Sequence, residues 1–230
     1  TGLGNEAITI NDSLTVAQLN YLGANNDGVI TATISEGDML TLGGITPLGN
    51  TLAITVTDEV VVAAEINTLD SKTTTDLTVT SSTIIGTASD LIAAYTATGS
   101  INGLGNEAVT ISDTTINAKA LNDINGYTTG VVNASSVNTI TAIAVEEVTT
   151  AYAANAAGTI TGLGNETVIL LQAVIFAGNF NSSLNSLNNI NAFTTGVIDV
   201  SAAQTFVGSA EDIITAYAAN AAGTITGLGN

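Results

Sequence analysis

Short stretches in which apolar and polar residues alternate recur along the chain and predict β-strands. The alternating side chains are mostly β-branched, and a period of two residues is typical of a strand with one buried face. One set of predicted strands lies at Ala7–Asp12, Leu52–Asp58 and Ala108–Asp113, and a second set lies at Val29–Ile34, Val131–Ala134 and Val197–Val200. Each member of the second set follows a turn triplet: Asn26–Gly28, Thr128–Gly130 or Thr194–Gly196.

Between the two sets of strands the pattern changes to apolar residues three positions apart. This spacing places one buried stripe on a short helix. The signature is Leu-Asn-x-Ile or a close variant, found at Leu19–Leu22, Ile66–Leu69, Leu121–Ile124 and Leu187–Ile190. In the third copy it predicts a helix over Asn117–Ile124.

A second, longer helix is predicted after each second strand. Thr87–Asp90 and Ser209–Asp212 resemble capping boxes, with an acid answering the hydroxyl of the N-cap. The third copy has Ala144 at the cap, but Glu146 and Glu147 still favour the positive end of the helix. These helices are expected to stop before Gly99, Gly158 and Gly223.

The tripeptide Leu-Gly-Asn marks a long repeat. It begins at Leu3, Leu48, Leu104, Leu163 and Leu228, so the interval lengthens from each copy to the next. We divide the chain into repeats 1–46, 47–102, 103–161 and 162–226, with a fifth beginning at 227–230. Each repeat is predicted to run strand, helix, strand, helix, and the chain is expected to be part of a longer array.

Strand–helix–strand connections of this length make parallel strand pairs with right-handed crossovers. The repeats therefore predict a right-handed β/α solenoid with parallel strands and short helices. Whether a repeat is two stacked coils or one larger coil stays open at this point. The alternative is a β-rich array or propeller-like repeats, although a blade needs about four strands and the pattern gives two.

Composition excludes several classes of function. Two cations face 20 acids, for a net charge of −18, which disfavours nucleic acid because binding depends on cations that neutralise phosphates. The apolar runs are too short to span a membrane. Cysteine and histidine are absent, so thiolate nucleophiles and histidine bases are excluded. The acid pairs Glu146–Glu147 and Glu211–Asp212 lie in first turns of predicted helices, so we expect no enzyme.

The asparagines of the repeated tripeptide suggest a structural role. If the repeats stack, these side chains would form a hydrogen-bonded column from coil to coil. The predicted ladder consists of Asn5, Asn50, Asn106 and Asn165. The tyrosines that recur once per repeat, Tyr95, Tyr152 and Tyr217, are expected to serve packing.

The turn that contains the tripeptide also suggests calcium. Gly2–Ile8 is similar to the calcium-binding nonapeptide of RTX proteins, with Glu in place of Asp. The calcium candidates are Glu6, Glu107 and Glu166, while copy two has Thr51 at the aligned position. Since calcium takes six to eight oxygens, one acid per turn favours an ordinary strand-entry turn. No other cofactor is expected.

One segment, Leu170–Asn181, has no counterpart in the other copies. It is the most apolar stretch and includes Phe176 and Phe180. The prediction is a bulged strand and loop that packs on the stack. The alternative is a contact surface for a neighbouring chain.

As a whole, the chain resembles the repeat regions of very large bacterial surface proteins, particularly cyanobacterial ones. The segments 108–137 and 148–166 carry this resemblance through their Thr-, Ala- and Asn-rich phrasing. It implies an extracellular or cell-surface array that forms a fibre, an adhesin stalk or a surface layer, with copies or adjoining repeats stacked end to end. The alternative function is a calcium-dependent module that binds cell-surface polysaccharide or a partner protein.

Overall fold

The computed structural model describes residues 4–97, 99–178 and 186–229. The chain divides into two units, residues 1–109 and 110–230. In each unit short parallel strands alternate with helices. The predicted parallel β/α arrangement is therefore confirmed.

The first unit begins with one long parallel sheet. Its elements are β1 (Ile8–Leu14), α1 (Val16–Asn25), β2 (Ile30–Ile34), α2 (Met39–Leu42), β3 (Thr51–Val56), β4 (Val60–Val62), α3 (Ala63–Asp70), β5 (Leu77–Val79), β6 (Thr83–Gly86), α4 (Ala88–Thr96) and β7 (Ile101–Asn102). Strands β1, β2, β3, β5 and β7 are hydrogen-bonded in that order, and β4 pairs with β6. The next strand, β8 (Ala108–Ile111), spans the boundary between the units.

The second unit has the same plan. Its elements are β9 (Thr115–Asn117), α5 (Ala118–Tyr127), β10 (Val132–Asn133), β11 (Thr139–Ala142), α6 (Val145–Ala157), β12 (Ile160–Thr161), β13 (Thr167–Leu170), β14 (Val174–Phe176), α7 (Leu187–Phe193), β15 (Ile198–Asp199), β16 (Thr205–Val207), α8 (Ala210–Ala222) and β17 (Ile225–Thr226). Strands β9, β11, β13, β15 and β17 form one parallel sheet, while β10 pairs with β12 and β14 with β16.

The register shows how far the chain travels between paired strands. Thr115 lies opposite Thr139, and Val168 lies opposite Ile198. Each of these steps along the chain is about half of the interval between successive copies of Leu-Gly-Asn. Each long repeat therefore supplies two successive strand-pairing steps.

The segment around the tripeptide Leu163–Asn165 moves the chain sideways from sheet to sheet. Here β12, β13 and β14 follow one another with no helix between them, and each belongs to a different sheet. Strands β10 and β11 pair with β12 and β13, whereas β15 and β16 pair with β13 and β14. The pairing position therefore advances by one strand across this segment.

The predicted plan of strand, helix, strand, helix is wrong in its number of strands. The helices α5, α6, α7 and α8 each follow two or three strands in succession. The strands that the prediction missed include β9 and β16, of three residues each, and β11, of four. Strands this short do not show a full alternation in the sequence.

The predicted helix signals agree with the structure. The hydroxyl of Thr87 accepts from the N–H of Asp90, and Ser209 forms a capping box with Asp212. Ala144 makes no side-chain cap, as expected. Helices α6 and α8 end immediately before Gly158 and Gly223.

The Leu-Asn-x-Ile stripe forms the helical part of the core. The buried members of the stripe are Leu19, Ile66, Leu69, Leu121, Ile124, Leu187 and Ile190. They pack with inward residues of the strands, such as Ile54, Ile140 and Val168. The hydrophobic core thus lies between strands and helices in both units.

The apolar segment Leu170–Asn181 contains a regular strand. Its residues Val174–Phe176 form β14 and lie opposite Thr205–Val207 of β16. As β9 follows β8 and precedes α5, so β14 follows β13 and precedes α7. This part of the segment therefore has a counterpart in the third repeat. Phe180 and Asn181 lie outside the described residues.

Candidate functional site

The recurring Gly-Leu-Gly-Asn-Glu turn forms a cradle around its own glutamate. In the fourth repeat the N–H of Gly164 donates to both carboxyl oxygens of Glu166, at 3.0 and 2.9 Å. Gly164 has a φ of +142°, which L side chains rarely adopt, so glycine is favoured here. The side chain of Glu166 is completely buried. We call this arrangement the glutamate cradle.

A tyrosine from the preceding helix closes the cradle. The hydroxyl of Tyr152 in α6 donates to Oε2 of Glu166 at 2.9 Å. The ring of Phe193 stacks on Tyr152, with centroids 5.6 Å apart. Burial raises the pKa of Tyr152 well above its usual range. Tyr152 therefore serves packing, as predicted, and is also a hydrogen-bond donor, whereas Tyr217 is 47 % exposed.

The turn that follows the next helix holds the backbone of the cradle. Thr194 Oγ1 donates to the carbonyl of Glu166 at 2.8 Å, and the N–H of Thr195 donates to the carbonyl of Gly164 at 2.8 Å. A Cβ on Gly196 would lie 2.1 Å from the carbonyl oxygen of Glu166. The close approach explains the glycine at the third position of this turn.

The first unit contains the same cradle twice. In the third repeat Gly105 and Asn106 donate their N–H groups to the buried Glu107, and Tyr95 of α4 donates its hydroxyl. In the first repeat Gly4 and Asn5 donate to Glu6 at 2.6 and 3.2 Å.

Glu6 differs from the other two glutamates in being exposed. No tyrosine donates to it within the described residues. The hydrogen bond from the N–H of Gly4 holds the pKa of Glu6 below its usual range. The first cradle is therefore built in its backbone but is open to solvent.

The calcium candidates Glu6, Glu107 and Glu166 are thus hydrogen-bond acceptors for their own turns. Each turn contributes one acid, and the described part of the chain contains no group of three or more acids placed to hold a metal ion. A calcium ion requires more oxygens than one carboxyl group supplies. What the geometry offers at these turns is a fixed acceptor for a tyrosine hydroxyl.

No protein-family model, curated protein or solved structure matches this chain. Among its described residues no helix is both long and apolar enough to cross a membrane.

The acid pair Glu146–Glu147 lies in the first turn of α6, where Glu147 accepts from the N–H of Ile143 at 3.1 Å.

The four asparagines of the predicted ladder do not share one environment. Asn50 is 4 % exposed, and its Oδ1 accepts from the N–H of Ile30 at 2.7 Å. Asn5, Asn106 and Asn165 are exposed. In addition, β2 separates β1, which follows Asn5, from β3, which follows Asn50. The structure therefore does not bring Asn5 and Asn50 onto neighbouring strands.

Copy two has no glutamate at the position of the cradle. Ile54 lies opposite Leu77 as Val168 lies opposite Ile198, and the N–H of Thr74 donates to the carbonyl of Asn50 as the N–H of Thr195 donates to the carbonyl of Gly164. Leu52 is therefore the counterpart of Glu166, and the alignment of Thr51 with the glutamates is wrong. Leu52 is completely buried, so an apolar side chain fills this position in copy two.

A different set of asparagines connects the helices. Each is the Asn of the Leu-Asn-x-Ile signature, and its amide donates to a carbonyl in the first turn of the next helix. The pairs are Asn67 to Asp90 at 2.9 Å, Asn122 to Glu147 at 2.8 Å and Asn188 to Asp212 at 3.1 Å. The recurrence of this asparagine in the sequence could have indicated the contact between helices. The spacing of the signature by itself predicts only the apolar stripe.

Replacing the buried asparagine tests its role in copy two. We expect Asn50→Ala to lower the free energy of unfolding by about 1–3 kcal/mol, because the N–H of Ile30 loses its buried acceptor. The matched change Asn106→Ala removes an exposed side chain and is expected to fall within about 0.5 kcal/mol of the parent. Chemical denaturation of the two variants measures both values. Equal losses would contradict the assignment of the buried role to Asn50.

Proposed function

We propose that this chain is a structural segment of an extracellular fibre, adhesin stalk or surface layer, built as a right-handed β/α solenoid. The observation that carries the proposal is the repeated pairing step of about half a repeat. A chain that pairs in parallel with itself at regular steps adds each new coil to the last one. Such an array grows along one direction and is suited to a spacer.

The contacts between successive steps support a structural role. The glutamate cradle occurs in the first, third and fourth repeats and the helix asparagines in the second, third and fourth, and each contact joins a residue to another turn or helix. Their donors are engaged with the chain itself, since the hydroxyl of Tyr152 donates to Glu166 and the amide nitrogen of Asn122 donates to the carbonyl of Glu147. Side chains used in this way fix the position of neighbouring coils.

The charge balance and the resemblance to bacterial surface repeats support an extracellular location for the chain. A net charge of −18 keeps chains soluble through mutual repulsion, and salt screens this repulsion over about 10 Å or less. The partners proposed for such a segment are adjoining repeats or copies of itself. Polysaccharide at the cell surface is a further proposed contact of the assembled array.

A fused array tests the proposal. Two copies are joined so that Ile225 is followed directly by Thr1, which recreates the natural order Gly-Thr-Ile-Thr-Gly-Leu-Gly-Asn-Glu seen at 158–166. If repeats stack, the junction buries Tyr217 and thermal unfolding shifts upward by roughly 5–10 °C. The same fusion with Tyr217→Ala in its first copy should lose most of the gain. A fusion that melts like one chain would rule out stacking.

One further measurement distinguishes the calcium-dependent module from the structural stalk. Unfolding of the single chain is followed in excess calcium and in excess chelator. A stalk held by its own hydrogen bonds unfolds at the same temperature in both. A calcium-dependent module gains stability with calcium, because a ligand that binds only the folded state shifts the equilibrium.

A further inference from the structure

The tyrosine that closes the cradle is present at a third place, where the described chain offers it no acceptor. Helices α6 and α8 share the sequence Thr-Ala-Tyr-Ala-Ala-Asn-Ala-Ala, so Tyr217 corresponds to Tyr152. Tyr152 is 2 % exposed, whereas Tyr217 is 47 % exposed. The second unit therefore ends in a donor whose counterpart in α6 reaches a buried glutamate.

The neighbouring position on the same helix face repeats this contrast. Ile214 of α8 is 68 % exposed, while its counterpart in α6, Thr149, is buried. The face of α6 is covered by α7, whose Phe193 stacks on Tyr152. A large apolar side chain at Ile214 indicates that the matching face of α8 is also suited to being covered.

The first unit presents the complementary half. Asn26 donates its amide to the carbonyl of Glu6 at 2.9 Å, and the N–H of Asp27 donates to Gly4 at 2.6 Å. A Cβ on Gly28 would lie 2.1 Å from the carbonyl of Glu6. These contacts reproduce those of Thr194, Thr195 and Gly196 around the closed cradle of the fourth repeat.

An apolar hollow lies along α1, the helix that follows this open cradle in the sequence. It has a volume of about 420 Å³ and is lined by Leu14, Ala17, Gln18, Tyr21 and Leu22. Tyr21 is 71 % exposed. Helix α1, which supplies most of the lining, follows its cradle and strand as α7 follows the cradle of Glu166. Because α7 covers α6 and α1 corresponds to α7, α1 offers a surface against which a helix like α6 or α8 could pack.

We propose that a second copy of this chain docks head to tail, with Tyr217 of one copy donating its hydroxyl to Glu6 of the other. Ile214 then packs on α1 of the second copy. This inference rests on the proposed stacking function and names the partner and the contact. The internal contact of Tyr152 with Glu166 is its template.

Two segments of identical sequence would compete for the same place when a second copy docks, so one of them must move away. Thr-Gly-Leu-Gly-Asn occurs at residues 1–5 and again at 226–230. Asn220 Oδ1 accepts from the N–H of Leu228 at 3.3 Å, as Asn155 accepts from Leu163 at 3.1 Å. Residues 227–229 therefore lie in the place that the corresponding part of an incoming segment would take.

Sedimentation of the full chain over protein concentration at high salt tests the proposal. We expect reversible association, which Tyr217→Phe and Glu6→Gln each weaken roughly tenfold to hundredfold, since the first removes the hydrogen bond and the second removes the charge of its acceptor. The exposed Glu65→Gln is the matched control for the change in charge and is expected to leave association unchanged. Removing residues 227–230 should allow association at lower protein concentration.

Mixing the two variants gives the sharpest result. Chains with Tyr217→Phe keep an intact Glu6, and chains with Glu6→Gln keep an intact Tyr217, so together they form one complete contact. We expect the mixture to form dimers with the same affinity as the parent chain, but no assemblies of three or more copies. A parent chain that stays monomeric, or variants that associate like the parent, would overturn this docking. The fused array would still test stacking independently.

Discussion

Replacing Tyr152 by alanine is expected to lower the free energy of unfolding by about 3–5 kcal/mol, as for other large buried aromatic side chains. The change removes a ring that is 2 % exposed and stacks on Phe193. It also leaves the buried Glu166 without its hydroxyl donor. Denaturant unfolding of the variant measures the loss.

The chain offers a matched control at the same helical position. Tyr217→Ala alters an identical local sequence whose tyrosine is half exposed, and we expect a loss below about 1 kcal/mol in the monomer. Tyr152→Phe keeps the ring and should lose about 1.5–3 kcal/mol, the contribution of a hydrogen bond to a charged group. Similar losses at Tyr152 and Tyr217 would contradict the closed cradle.

The same tyrosine predicts an alkaline limit to stability. Burial raises the pKa of Tyr152 in the folded chain, while the unfolded chain keeps a value of about 10. The raised pKa of Tyr152 stabilises the folded chain by its full amount below about pH 10. This stabilisation is lost as the pH rises through the pKa that Tyr152 has in the folded chain. Stability should therefore fall above about pH 10 in the parent and fall less steeply in Tyr152→Phe.

Gly196→Ala is expected to be the second most damaging change, with a loss of about 3 kcal/mol or more. The added methyl group would lie 2.1 Å from the carbonyl oxygen of Glu166, and backbone on both sides must separate to admit it. Overpacking of this kind commonly costs about 1–3 kcal/mol and sometimes more. Thr194 and Thr195 would lose their hold on the cradle at the same time.

The matched control is Gly126→Ala, for which the opposite sign is expected. Gly126 lies within α5, and a Cβ there meets nothing within 4 Å. Alanine in a helix interior is more stable than glycine by about 0.5–1 kcal/mol. Thermal or denaturant unfolding of both variants decides the point. A neutral result at Gly196 would contradict the close approach of the backbone at Glu166, and a loss at Gly126 would contradict the open space around that position.

Much of the secondary structure could be predicted because its signals are local. The caps at Thr87 and Ser209, the ends at Gly158 and Gly223, and the apolar stripe of Leu121 and Ile124 depend on residues within one or two turns. The short strands β9 and β16 could not be predicted in the same way. They are held by pairing with β11 and β14, from which each is separated in the sequence by an intervening helix.

The candidate site shows the same limit. The glutamates and tyrosines were both visible as recurring residues, but their partnership joins Tyr152 to a residue 14 positions later, across the end of a helix. The ladder prediction assigned to Asn106 and Asn165 a burial that belongs to Glu107 and Glu166, one position further on. With a period of two in strands, an error of one position exchanges the buried and exposed faces.

The sideways move through β12, β13 and β14 constrains how such a gene can change length. Before the helices α5 to α8, segments of three and two strands alternate. Removal of one pairing step, about half a repeat, would place two segments with the same number of strands next to each other, and strands that now pair would then face the wrong sheet. Loss or gain of a whole repeat keeps the alternation. Changes in length that preserve folding are therefore expected to add or remove whole repeats rather than single pairing steps.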